Sequence, residues 1–280
     1  MFFARAKNHI QMNLDDLPKH NLEKEYLEHP VFEQLKELID FYEALSDTTM
    51  GFISQGTKAI FNLDTYVFTS ISGTLESIKN ILHSGRLNDS YALLRKYYDS
   101  TIINIYTNLY LNDHFSIDNF IVKHIENWRS GNETIPEFRV ISRYIKNSDK
   151  LKPITDLLQK DELYKVIRER CNDHTHYNFY HNLLLNDNQI RLKGRVKAIN
   201  HFQSDLIAIF VQHFSYLFYL NDQYMRSSDY VDYLDMGMTP EEDSQYWVAS
   251  FIQKAFDNFL KVYRPDIADE LKAKTSMWLK

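Results

Sequence analysis

One cysteine, Cys171, stands in a chain of 280 residues, which excludes an intramolecular disulfide framework and a multi-cysteine zinc site. A reducing compartment is expected. Glycine (7) and proline (6) are scarce, whereas folds rich in strands and long loops need such residues at their many turns. Long hydrophobic runs are missing too. The most apolar stretch, Leu206 to Leu220, carries Gln212, His213 and Ser215. It is shorter than the roughly 20 residues of a membrane span, so it reads as a core helix. The N-terminal MFFARAKNHIQMNLDDLP has no apolar signal core, so a soluble, cytoplasmic protein without membrane contact is expected. A positive excess is also lacking: the net charge of −6 argues against indiscriminate nucleic-acid binding, though not against a local basic groove. There is no glycine-rich phosphate loop, dinucleotide fingerprint, G-x-S-x-G elbow or His-Glu-x-x-His pair.

What is present is apolar and aromatic. Hydrophobic residues make up 44% of the chain, enough for a sizeable core, with 19 Tyr and 18 Phe to fill wide gaps between helices. Apolar residues recur at steps of three and four from Phe32 to Leu45, over about 57–83, and over about 88–111 behind Asn88 or Asp89 as a cap. Between the last two, His83–Ser84–Gly85 offers a left-handed glycine stop, so they should form an antiparallel hairpin. Shorter helices are predicted over 115–129 and 137–147, with a restart at Pro153. Helices over about 161–184 and 195–224 follow, then one opening at Thr239–Pro240 and running to 263, and a short last one after Pro265. The fold class is therefore all-α, a bundle or array of long antiparallel helices. Its parts are a lead-in (1–50), a helical core (51–225) and C-terminal helices packed on it (226–280), most economically one domain.

The densest polar chemistry lies in Arg168-Glu-Arg170-Cys171-Asn172-Asp173-His174-Thr-His176-Tyr-Asn178. Imidazole moves protons near neutral pH and guanidinium holds phosphate through paired donors, a combination suited to phosphodiester cleavage. On an unbroken helix Arg170 lies beside His174, four residues on, and His176 points about 120° away. A break at Asn172–Asp173 would change that, so both histidines stay candidates. Arg95 and Asp99, also four apart, share a face as an ion pair or as opposite charges on a cleft. Arg139, Arg143, Lys146 and Lys150 form a basic stripe, and RLKGRVK (191–197) adds a second basic stretch, so either could follow a phosphate backbone or be a solvated face. Cys171, His174 and His181 share a side of a continuous helix, but seven residues between the histidines is too far for one small ion, so no metal and no cofactor is expected.

Arg170, five residues and His176 resemble the motif of the HEPN superfamily of helical nucleotide-binding and ribonuclease domains; Arg168 and His174 fit the same pattern. The preceding Ala92, Arg95 and Asp99 look like the A-x-x-x-x-R helix of bacterial HEPN-like proteins, extending the resemblance over roughly 55–225. Cys171 departs from the usual polar residue after the arginine, which would leave Asn172 to supply that group. The resemblance implies a metal-independent endoribonuclease, as in toxins and phage-defence effectors. His176 would be its general acid/base, Arg170 would steady phosphate charge, and Asn172, His174, Arg168, Arg95 and Asp99 would support them. It further implies RNA or nucleotide as ligand, a homodimer with facing motifs, and an antitoxin or other protein partner. The competing reading is a non-catalytic helical interaction or nucleotide-binding module. Convergence of Arg170 with a histidine in an open cleft would favour catalysis; burial of both histidines would favour the other.

Overall fold

The computed structural model describes residues 22–280, so the first part of the predicted lead-in, residues 1–21, lies outside the described residues. A short α1 (Lys24–Leu27) precedes α2 (Val31–Thr49), α3 (Leu63–His83) and α4 (Leu87–His114), which form an up-down-up array. Four shorter helices follow: α5 (Lys123–Arg129), α6 (Phe138–Lys146), α7 (Lys152–Leu158) and α8 (Leu163–Thr175). After α9 (Tyr180–Leu184) comes the central α10 (Arg195–Leu220). Next are α11 (Asp229–Asp235) and α12 (Ser250–Ala255), which runs through a π turn (Phe256–Leu260) into α13 (Lys261–Tyr263), and the array closes with α14 (Pro265–Lys274). Among the described residues there is no strand, only one bridge between Arg226 and Val248. No helix among them is long and apolar enough to cross a membrane.

The all-α expectation is met, and one contiguous core runs from Tyr26 to Leu279 across all three predicted parts. Gly85 ends α3 at φ +77 against Leu22 and Asn188, where a side chain would clash, so the chain reverses directly into α4. Several boundaries differ from the apolar spacing. α3 starts at Leu63 because the Asn62 side chain accepts from the Asp64 amide, which leaves Ile60 exposed. Asn88 is no cap but a buried member of the first turn of α4. Residues 115–122 are irregular, tied by the Val122 amide donating to the Gly56 carbonyl. Thr239–Pro240 opens no helix: residues 236–249 loop back so that Ser227 donates to the Trp247 carbonyl, and α12 begins ten residues later.

A buried polar chain runs through the centre. Asn104 spends its amide on Asp64, so its oxygen accepts from Nε2–H of His213, and Nδ1 of His213 must then accept from Tyr42, at 2.9 and 2.7 Å. Tyr97 donates to Tyr42 in turn, and Asp64 also accepts from Asn108 and Tyr224. Burial keeps His213 neutral by pulling its pKa down to about 3 and pushes the Asp64 carboxyl up to about 6. The network joins α2, α3, α4 and α10.

Candidate functional site

α8 is unbroken to Thr175, so the anticipated break at Asn172–Asp173 does not occur. The turn comes later, at Tyr177, whose φ of +50 reverses the chain into α9. Asn172 is held in the helix because its side-chain oxygen accepts from Arg95 Nη1 at 2.5 Å. Arg170 and His174 therefore sit one turn apart on the face toward α4 and α10, and His176 falls on the C-terminal cap of α8.

Arg170 Nη1 contacts both oxygens of Asp205 on α10 at 2.5 Å, and the guanidinium lies near the Tyr91 hydroxyl. The Asp205 side chain is 2% exposed and that of Arg170 31%. Burial raises the Asp205 carboxyl above its ordinary value despite Arg170, whereas for Arg170 burial is outweighed by the Asp205 bond and charge. Both shifts are upward, which disfavours the charged carboxylate but favours the charged guanidinium, because the carboxylate lies deeper than its partner.

His174 is buried, stacked on Tyr91 at 3.9 Å between centroids and 11° between planes. Asn88 donates its amide to the His174 carbonyl and so offers its oxygen to Nδ1 at 2.8 Å. Nδ1 must carry the proton, and Nε2 is left as a lone-pair acceptor with no partner among the described residues. Burial lowers the His174 pKa to about 4, so the ring is neutral at pH 7. His174 and Arg170 line one cavity of about 360 Å³ with Asp173, His181, Lys197 and His201. His181, Lys197 and His201 are exposed at its walls. His176 is exposed, makes no side-chain hydrogen bond among the described residues and does not line this cavity. Cys171 is fully buried, with its thiol pushed up to about 12 by burial, and so is no nucleophile. Among the described residues no three His, Cys, Asp or Glu side chains converge to hold a metal.

Arg95 and Asp99 do pair, with both Asp99 oxygens 3.0 to 3.1 Å from Nε, and Arg168 Nη1 reaches the same carboxylate at 2.6 Å. One carboxylate thus serves two half-buried guanidiniums, and Arg168 also stacks on Phe138 at 3.3 Å.

The basic stretches fare differently. Arg139, Arg143 and Lys146 are exposed on α6. Lys150 lies past its end and is tied to Asp113 at 2.7 Å and Asn112 at 2.6 Å, which removes it from a free cationic stripe. In RLKGRVK, Arg195 is no surface cation: it is fully buried and donates to the carbonyls of Gly85, Asp187 and Ile190. Lys197 is the member of that stretch that reaches the cavity.

Asn88, Tyr91, Lys197, His201 and Asp205 belong to the site but carry no local motif. Asp205 had one signal, a lone carboxylate entering the apolar run Leu206–Leu220. No family model, curated protein or solved structure matches this chain.

Proposed function

We propose that the chain is a HEPN-like, metal-independent endoribonuclease acting in the cavity between α4, α8 and α10, with His174 rather than His176 as the base partnered to Arg170. One observation carries the reading: a neutral imidazole, locked by Asn88 with its bare Nε2 nitrogen available, shares an open cavity with an arginine. Nε2 of His174 takes the proton of a ribose 2′-hydroxyl, whose oxygen attacks the adjacent phosphorus. Arg170 and Lys197 hold the non-bridging oxygens as charge develops, and His181 or His201 gives a proton to the departing 5′-oxygen. The products are a 2′,3′-cyclic phosphate and a 5′-hydroxyl. Tyr177, Phe179, Tyr180 and Leu183 are exposed beside the site, an apolar rim suited to a second copy of the chain.

RNA incubated with the protein in EDTA should give cyclic-phosphate ends. Cleavage should vanish in His174→Ala and survive in His176→Ala. Loss only in His176→Ala, or no cleavage by any folded variant, refutes the assignment. The stack of His174 on Tyr91 and the pairing of Arg170 with Asp205 favour a second reading, a non-catalytic module in which these atoms only join three helices.

A further inference from the structure

A second cavity, about 410 Å³, lies between α4, α6, α8 and α10 and shares no lining residue with the His174 cavity. Its volume falls within the usual range for small-ligand sites, and its apolar walls are the rings of Phe138, Tyr98, Tyr164 and Tyr216. Two features there are unfinished. Gln212, only 7% exposed, lies beside the Tyr98 hydroxyl, and its Oε1 accepts from nothing among the described residues. A buried acceptor without a donor is costly, and native interiors contain few. The second feature is charge. Asp99 is shared by Arg95 and Arg168, so the half-buried cluster beside the cavity has one guanidinium more than it has carboxylates. The acids at the rim offset it in part: Glu162 is paired with Lys165, whereas Asp161, which accepts from the Leu163 amide, keeps its negative charge. Lys146 adds an exposed cation to the rim.

The missing partner is thus flat, carries an N–H edge and ends in an anion. We propose that this cavity binds a nucleoside monophosphate, its base against Phe138 and the tyrosine rings with an amino group donating to Gln212 Oε1, and its phosphate on Arg168 and Lys146. The site stands apart from the proposed ribonuclease centre and does not depend on it.

The full chain is titrated calorimetrically with AMP and CMP, and with inorganic phosphate as the control. Saturable binding of both nucleotides is expected, with phosphate alone at least about tenfold weaker, since it lacks the stacked ring and the edge bond. Gln212→Met, which keeps the volume and removes the acceptor, should weaken binding about tenfold while melting no lower than the wild type without ligand. Lys146→Ala, a surface change that leaves the fold intact, should weaken binding severalfold. His174→Ala should leave affinity unchanged. No saturable binding at millimolar nucleotide, binding indifferent to both Gln212→Met and Lys146→Ala, or binding abolished by His174→Ala would each overturn the proposal.

Discussion

Arg170 and Asp205 form one ion pair, yet removing either partner should have unequal consequences. Asp205 is 2% exposed, so in Arg170→Gln a carboxylate remains buried without a counter-charge. Breaking a buried pair in this way costs about 3–5 kcal/mol. In Asp205→Asn the orphan is Arg170, a third exposed and able to turn its head to water, so the cost falls to about 1–2 kcal/mol, that of a partly buried hydrogen bond. The pH dependence should separate the two further. The Asp205 carboxyl already sits above its ordinary value through burial, with Arg170 pulling it down. A raised carboxyl contributes stability below its unfolded pKa and loses it as pH rises through the folded value. Without Arg170 that folded value climbs. The deficit of Arg170→Gln, measured by urea denaturation, should be largest at pH 8 and shrink toward pH 5, while that of Asp205→Asn stays nearly flat. Equal deficits, a pH-independent Arg170→Gln, or a more damaging Asp205→Asn would refute the burial argument.

Acid should destabilise the protein through its buried neutral histidines. Because the folded pKa of His174 is about 4, below its unfolded value, the stability is complete above pH 6.5 and drains away as pH falls toward 4. His174→Gln should lose about 3 kcal/mol less over that window in denaturation curves. Replacing Asn88 by Asp puts a negative charge on Nδ1–H, so the His174 pKa should rise above that of the wild type in an NMR titration, and a fall would contradict the hydrogen-bond assignment. Arg195→Met removes the cation that gathers three carbonyls from the α3–α4 turn and the 186–194 segment. About 3 kcal/mol of stability and earlier proteolysis within that segment are expected; unchanged cleavage would count against its role as a tether.

The helices themselves were legible because their apolar periodicity is local: α2, the α3–α4 hairpin and α10 follow directly from residue spacing. Boundaries failed where a tertiary bond decided the outcome. Arg95 holds Asn172 in helix, although Asn is a poor helix former that would otherwise favour a break. The site was half legible. Arg170, His174, Arg95 and Asp99 share short-range spacing, whereas Asp205, Asn88 and Lys197 meet them only through the crossing of α4, α8 and α10. Arg195 shows the opposite error: a charged residue in a basic run looks like surface until the carbonyls that bury it are known.

The polar chain from Tyr97 to Asp64 has a consequence for how the bundle finds one packing. Interlocking aromatic rings tolerate sliding, since a helix displaced by one turn, about 5.4 Å, buries nearly the same apolar area. The network does not tolerate it: every donor from Tyr97 through Tyr42, His213 and Asn104 has a single acceptor waiting on another helix. Shifting α10 by a turn would strand His213 and Asn104 together and leave the Asp64 carboxylate short of a donor. The bundle thus carries a combination lock among its greasy surfaces. Its tumblers add little to the depth of the native well, but they decide which of several comparable wells is native.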